Sequence, residues 1–157
     1  MISQQEADRL TNLQKVPADN VVYEFPPSGG AIEINLVSRD GKEEFIIDVN
    51  RKGRISLKAT YQERWHKTIA LLRLDLKGPP HTNPIAVAPV PQWASQYAGV
   101  TMQTPHIHIY LENYGPTWAF PIRSNQFANV NNLWQTLLDF LDYCHVAERP
   151  VIQNRLV

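Results

Sequence analysis

The sequence predicts an α+β fold, with five or six mostly antiparallel strands in one sheet and a helix at each end of the chain. Three observations predict it. Apolar residues alternate with period two on both sides of an Asp40–Gly41 turn. Apolar residues at helical spacing are confined to the two ends of the chain. A further alternating segment, PHIHIYLE at 105–112, carries two histidines on one face.

Composition bounds the answer. The chain has 157 residues, with 15 Lys+Arg against 15 Asp+Glu, so its formal charge is zero with neutral histidines. That balance excludes a broad cationic surface gripping phosphates by charge density alone. The 43% hydrophobic share argues against disorder and for one domain spanning 1–157. No apolar run reaches the roughly 18 residues of a membrane span, and MISQQEADRL lacks the basic and apolar regions of a signal peptide. A cytoplasmic protein without membrane contact is expected. Cys144 is the single cysteine, which excludes an internal disulfide and a multi-cysteine zinc site.

The elements follow in order. Ser3 with Glu6 three residues on has capping-box spacing, and Ala7, Leu10 and Leu13 give an apolar stripe, so a short helix is expected over 3–15. Pro26, Pro27, Gly29 and Gly30 mark a loop. Ile32, Ile34 and Leu36 define a strand over 31–38, and Phe45, Ile47 and Val49 a second over 43–50. A turn at 51–53 leads to Ile55, Leu57 and Ala59, completing a three-stranded meander. KTIALLRLDL, 67–76, is apolar on both faces and reads as a central strand. Six of the 12 prolines lie between 79 and 105, so 78–105 is expected as a long loop, mobile around 88–103. After the histidine strand, Tyr114–Gly115–Pro116 turns the chain into an edge strand at 117–122 bearing Pro121. Leu133, Leu137, Leu138, Leu141 and Cys144 predict a helix over 130–145 with Asn129 as N-cap. Its leucines should share a core with Ile107, Ile109 and Leu111. A tail is expected from about 150.

The chemistry concentrates in two strands and the loop between them. His106, His108 and Tyr110 alternate onto one side of their strand, the two histidines roughly 7 Å apart along it. Arg73 and Asp75 likewise share a face, and two charges in so apolar a run need pairing or a solvated cleft. The stiff segment GPPHTNP holds His81 between prolines. The candidate catalytic set is therefore Arg73, Asp75, His81, His106 and His108, with Tyr110, Lys77 and Asn83 as candidate substrate-binding residues. Cys144 should be a buried, inert thiol.

The patterns L-R-L-D-L-K-G-P-P-H-T-N-P, P-H-I-H-I-Y and Y-G-P-T-W-A resemble a family of small prokaryotic proteins of uncharacterised function over most of the chain. A shorter stretch, Arg73–His108, is similar to TumE-type toxins of toxin–antitoxin modules. That likeness implies an RNA-directed toxin with Arg73, Asp75, His81, His106 and His108 at its site, and a cognate antitoxin or other protein as partner.

The first functional expectation is a metal-independent endoribonuclease requiring no cofactor. Histidine suits both proton transfers of RNA cleavage, and the arginine fork matches phosphate oxygens. Two alternatives stand beside it. One is a non-enzymatic interaction or anti-defence protein from a mobile element. The other is a zinc hydrolase with His81, His106 and His108 as ligands and Asp75 as fourth ligand or supporting partner.

Overall fold

The computed structural model describes residues 1–53 and 57–155. Helix α1 (Gln4–Asn12) starts where the capping signal places it, with the Ser3 hydroxyl accepting the Glu6 N–H. The glutamate does not close the box; its carboxylate takes Arg9 instead. Strands β1 (Lys15–Pro17) and β2 (Tyr23–Glu24) follow, then β3 (Ala31–Ser38), β4 (Glu44–Asn50), β5 (Ala59–Trp65) and β6 (Ile69–Leu76). The segment 78–105 contains β7 (His81–Thr82), a 3-10 helix (Gln92–Tyr97) and β8 (Thr101–Met102). The chain continues through β9 (His106–Ile109), β10 (Ala119–Pro121), α2 (Leu133–Tyr143) and β11 (Ile152–Gln153).

Among the described residues, one antiparallel sheet runs β1-β3-β4-β5-β6-β9-β10, so it has seven strands rather than five or six. The extra strand is β1. Its three residues include Lys15 and Pro17, too few and too polar to show alternation, yet they pair in register with Ser38, Val37 and Leu36 of β3.

Other differences have similarly local causes. The third meander strand is β5, centred later than the expected Ile55–Ala59 run; Ile55 itself lies outside the described residues. Asn132, not Asn129, caps α2 by accepting the Gln135 N–H, while the Asn129 carbonyl takes the Thr136 hydroxyl. The stretch after Pro150 is not a free tail, because Ile152 and Gln153 pair in parallel with Tyr23 and Glu24. The 78–105 segment is held, not featureless. Ala94 is buried, Trp93 and Tyr97 pack on Phe120, and Tyr114 Oη bonds both backbone groups of Ala88.

Both helices serve the same sheet face. Ile107, Leu111, Leu133, Leu137 and Leu141 share one buried cluster, with Ile109 packed against it. Each leucine-to-alanine change there removes about 2–5 kcal/mol. Tyr61 joins β5 to α2 by donating to the Leu133 carbonyl at 2.7 Å. Lys15 Nζ ties three elements together, donating to the carbonyls of Thr11, Leu13 and Cys144 and pairing with Glu63 at 2.9 Å.

The opposite face is polar by register. Glu33, Asp48, Gln62, Arg73 and His108 are successive cross-strand partners from β3 to β9. The neighbouring row is Asn50, Thr60, Asp75 and His106. Strand alternation thus delivers the candidate residues of β6 and β9 to adjacent positions on one surface.

Candidate functional site

At one end of that polar face lies a cleft of about 410 Å³, walled by Arg73, Asp75, His81, His106 and His108, with Lys58, Lys77 and Thr104 among its other lining residues. Two adjacent strands supply four of the five central side chains, in the pairs Arg73–His108 and Asp75–His106. The fifth comes from the loop. His81 packs edge-on against His108, ring centroids 4.7 Å apart, and lies 6.1 Å from His106; the two strand histidines are 5.0 Å apart. The five residues singled out in the sequence converge.

Each imidazole spends one ring nitrogen on a main-chain carbonyl. His81 Nε2 donates to Thr117 at 2.7 Å, His106 Nδ1 to Gln103 at 3.2 Å and His108 Nδ1 to Pro116 at 3.0 Å. A carbonyl only accepts, so these nitrogens carry protons and each ring meets the rest of the site through its other nitrogen. For His108 that nitrogen is Nε2, which accepts from Arg73 Nη2 at 3.0 Å. Arginine has no lone pair to offer, so this contact requires a neutral His108. Its pKa is lowered to match: burial is the main cause, with the nearby Arg73 charge acting in the same direction and Asp75 opposing both.

His106 Nε2 is different. It is buried and faces Asp75 Oδ2 at 3.4 Å without making a hydrogen bond. Asp75 is the hub of the site. Arg73 grips it through two bonds of 2.9 and 3.0 Å, and Oδ2 lies 3.4 Å from Nε2 of both strand histidines. Burial alone raises this carboxyl, but the two imidazoles and the guanidinium outweigh it and hold it far below the ordinary range. Asp75 is therefore ionised, and its charge is balanced by Arg73. Lys58 and Lys77 add positive charge to the walls.

The candidate substrate-binding residues separate. Lys77 lines the cleft, on left-handed backbone at φ 52° where β6 turns into the loop. Tyr110 does not. Strand β9 ends at Ile109, and the Tyr110 hydroxyl bonds both the N–H and the carbonyl of Ile2 at 3.0 Å, on the α1 side of the molecule. Asn83 is buried, and its amide is consumed by the backbone of Tyr97 and Ala119. Its place is structural, two residues from His81. Sequence reasoning missed Lys58, which neighbours the cleft only through the fold of β5 against Gly78.

Cys144 is buried, and burial pushes its thiol well above the usual range, as expected of an inert side chain. No helix among the described residues is long and apolar enough to cross a membrane.

Residues 2–146 match the model of a family of unknown function, DUF6978. No curated protein and no solved structure matches the chain.

Proposed function

The chain belongs to the DUF6978 family, whose function is unknown, and on that premise we propose that its cleft is the site of a toxin-like, metal-independent endoribonuclease. One observation carries the reading. Three imidazoles, each with one nitrogen anchored on a main-chain carbonyl, share a cleft with an arginine and two lysines. Anchoring one nitrogen orients the other, which a proton-transfer group needs.

RNA cleavage by its own 2′-hydroxyl requires a base for that hydroxyl, an acid for the departing 5′-oxygen and positive charge at the phosphate. His81 is the most exposed of the three histidines and has no carboxylate partner among its contacts, which suits the neutral base through Nδ1. His106 lines the same cleft with its Nε2 3.4 Å from the Asp75 carboxylate, and we assign it the part of the acid. The 2′-oxygen attacks phosphorus, its proton passes to His81, and the 5′-oxygen leaves with the proton of His106. The products are a 2′,3′-cyclic phosphate and a free 5′-hydroxyl. Arg73, with Lys58 and Lys77 beside it, receives the phosphate. His108 and Asp75 hold Arg73, and Asp75 also faces His106. The similarity of Arg73–His108 to TumE-type toxins points the same way.

The test is cleavage of a single-stranded RNA in EDTA, with the ends analysed by mass. A 2′,3′-cyclic end is expected, together with protection by a single 2′-deoxy substitution and loss of activity in His81→Ala and His106→Ala. Intact RNA with and without divalent ions would overturn the reading. Recovery of a stable protein partner alongside intact RNA would favour the interaction protein.

A further inference from the structure

We propose that Asp75, His106 and His108 also form a binding site for one first-row divalent metal ion, and that Arg73 is a resident counter-cation the ion must displace. Metal would then silence the cleft rather than serve it. The ion site stands on its own geometry; only the silencing rests on the cleavage reading.

The carboxylate is already spaced from both imidazoles as ligands are around an ion. A tetrahedral Zn²⁺ with bonds of about 2.0–2.1 Å sets its ligand atoms roughly 3.4 Å apart. Asp75 Oδ2 lies 3.4 Å from His106 Nε2 and 3.4 Å from His108 Nε2. One ligand atom from each of the three residues lies within 4.8 Å of the others.

The protonation pattern agrees. Both strand histidines donate Nδ1–H to a main-chain carbonyl, the support that ligating histidines ordinarily have, and this turns the Nε2 lone pairs toward the carboxylate. The His106 lone pair is the stronger indication. His106 is 1% exposed and its Nε2 has no hydrogen-bond partner, a costly state for a buried polar atom with no ligand to take it. Two imidazole nitrogens and one carboxylate oxygen suit zinc and its neighbours, whereas magnesium and calcium prefer an all-oxygen shell.

His81 is not one of the three. Its Nε2 is committed to the Thr117 carbonyl and its ring sits 6.1 Å from that of His106, so the ligand set expected from the sequence contracts to His106, His108 and Asp75, the last no longer only a fourth ligand or supporting partner.

Arg73 sets the terms of binding. Its guanidinium forks Asp75 and occupies the His108 lone pair, and a second cation cannot share both partners. The Arg73 side chain is one-third exposed (33%), so its head can move into the open cleft when an ion takes its place. A bound ion would engage the His106 and His108 lone pairs and the Asp75 charge together, leaving His106 unable to carry a proton.

The experiment uses the full chain, stripped with EDTA, exchanged into chelator-free buffer, and titrated with ZnCl₂ by calorimetry and CoCl₂ by visible absorption. One ion per chain is expected, with tetrahedral Co²⁺ bands. Binding should weaken by roughly tenfold or more in His106→Ala and in the isosteric Asp75→Asn, which guards against misfolding of the former. Arg73→Met should tighten it by a similar factor, and His66→Ala should leave it unchanged. RNA cleavage should fall in step with Zn²⁺ occupancy and return with EDTA. No Zn²⁺ binding by the wild type, binding unaffected by both ligand variants, or weaker binding in Arg73→Met would overturn the site or the competition. Cleavage stimulated by Zn²⁺ would overturn the silencing. RNA left intact at every metal level would defeat the cleavage reading, while the titrations alone would still decide the site.

Discussion

The side-chain amide of Asn83 pairs with both backbone groups of Ala119, accepting its N–H at 2.7 Å and donating to its carbonyl at 2.9 Å. Among the described residues β10 is the last strand of the sheet, so Ala119 has His108 opposite it on one side and no strand on the other. Asn83 stands in for that missing strand by one residue. It also fixes where the loop meets the sheet, and so where His81 sits.

Replacing Asn83 by alanine should therefore cost stability and activity together. Two backbone groups at a buried position lose their partner, at roughly 1–3 kcal/mol each. Urea unfolding measures the first effect and RNA cleavage the second. Asn83→Asp should fall between, because a carboxylate still accepts from the Ala119 N–H but repels its carbonyl. Unchanged stability in Asn83→Ala would show that the clamp is not needed.

Tyr110→Phe tests the opposite case. The hydroxyl bonds only the Ile2 backbone, so its loss should cost about 1 kcal/mol and leave cleavage intact. A large fall in activity with little change in stability would return Tyr110 to the site.

Much of this was legible in advance. Period-two alternation located β3, β4 and β9 because one face of each is predominantly apolar while the other carries most of its polar residues, even in β9 where both histidines are themselves buried. The Arg73–Asp75 and His106–His108 pairs could be placed on one side of their strands for the same reason. Tyr110 defeated the rule because alternation holds only while the strand continues, and β9 stops one residue earlier. β1 was invisible because a lysine signals solvent, and nothing local reveals that Glu63, nearly fifty positions on, will bury it. Asn83 is a substrate-binding candidate in the sequence and a structural clamp in the fold, because its partner Ala119 lies 36 residues on and is brought to it only by the fold.

Lys15→Met should cost roughly 3–5 kcal/mol at pH 8, because it removes the cation that balances the buried Glu63 carboxylate, which must then stay charged without that partner or take up a proton. It also frees the carbonyls of Thr11, Leu13 and Cys144 that the ammonium holds. Adding Glu63→Gln should restore a good part of the loss. A double variant no more stable than Lys15→Met would show that the lost carbonyl ties, not the stranded charge, dominate.

The same pair gives a pH dependence. Burial pushes the Glu63 carboxyl from 4.5 up to about 7, with Lys15 as the main opposing influence and the Cys144 thiol also in contact. His145 adjoins Lys15 from the end of α2 and is lowered, chiefly by its own burial. A folded pKa above the unfolded one means the folded state holds the proton more tightly. Glu63 then contributes stability that is fully present below about pH 4.5 and is lost as pH rises through about 7. Urea midpoints of wild type and Glu63→Gln should be close at pH 5, with the wild type falling behind by pH 8. A difference that does not vary with pH would contradict this.

His106 and His108 should respond differently to glutamine, whose amide oxygen can occupy the position of Nε2 and accept a hydrogen bond but cannot transfer a proton. His108 meets Arg73 through that acceptor, so His108→Gln should keep Arg73 in place and retain cleavage within about tenfold. His108→Ala removes the acceptor, and its main effect should be a raised KM, because the guanidinium proposed to receive the phosphate loses one of its supports. In the proposed mechanism His106 carries the proton for the leaving oxygen, so His106→Gln should lower kcat by roughly 10²–10⁴. The kcat against KM split of these three variants separates holding a cation from donating a proton. If His108→Gln is as inactive as His106→Gln, the roles given to the two strand histidines are wrong, because glutamine would then have preserved the one contact that His108 was supposed to supply.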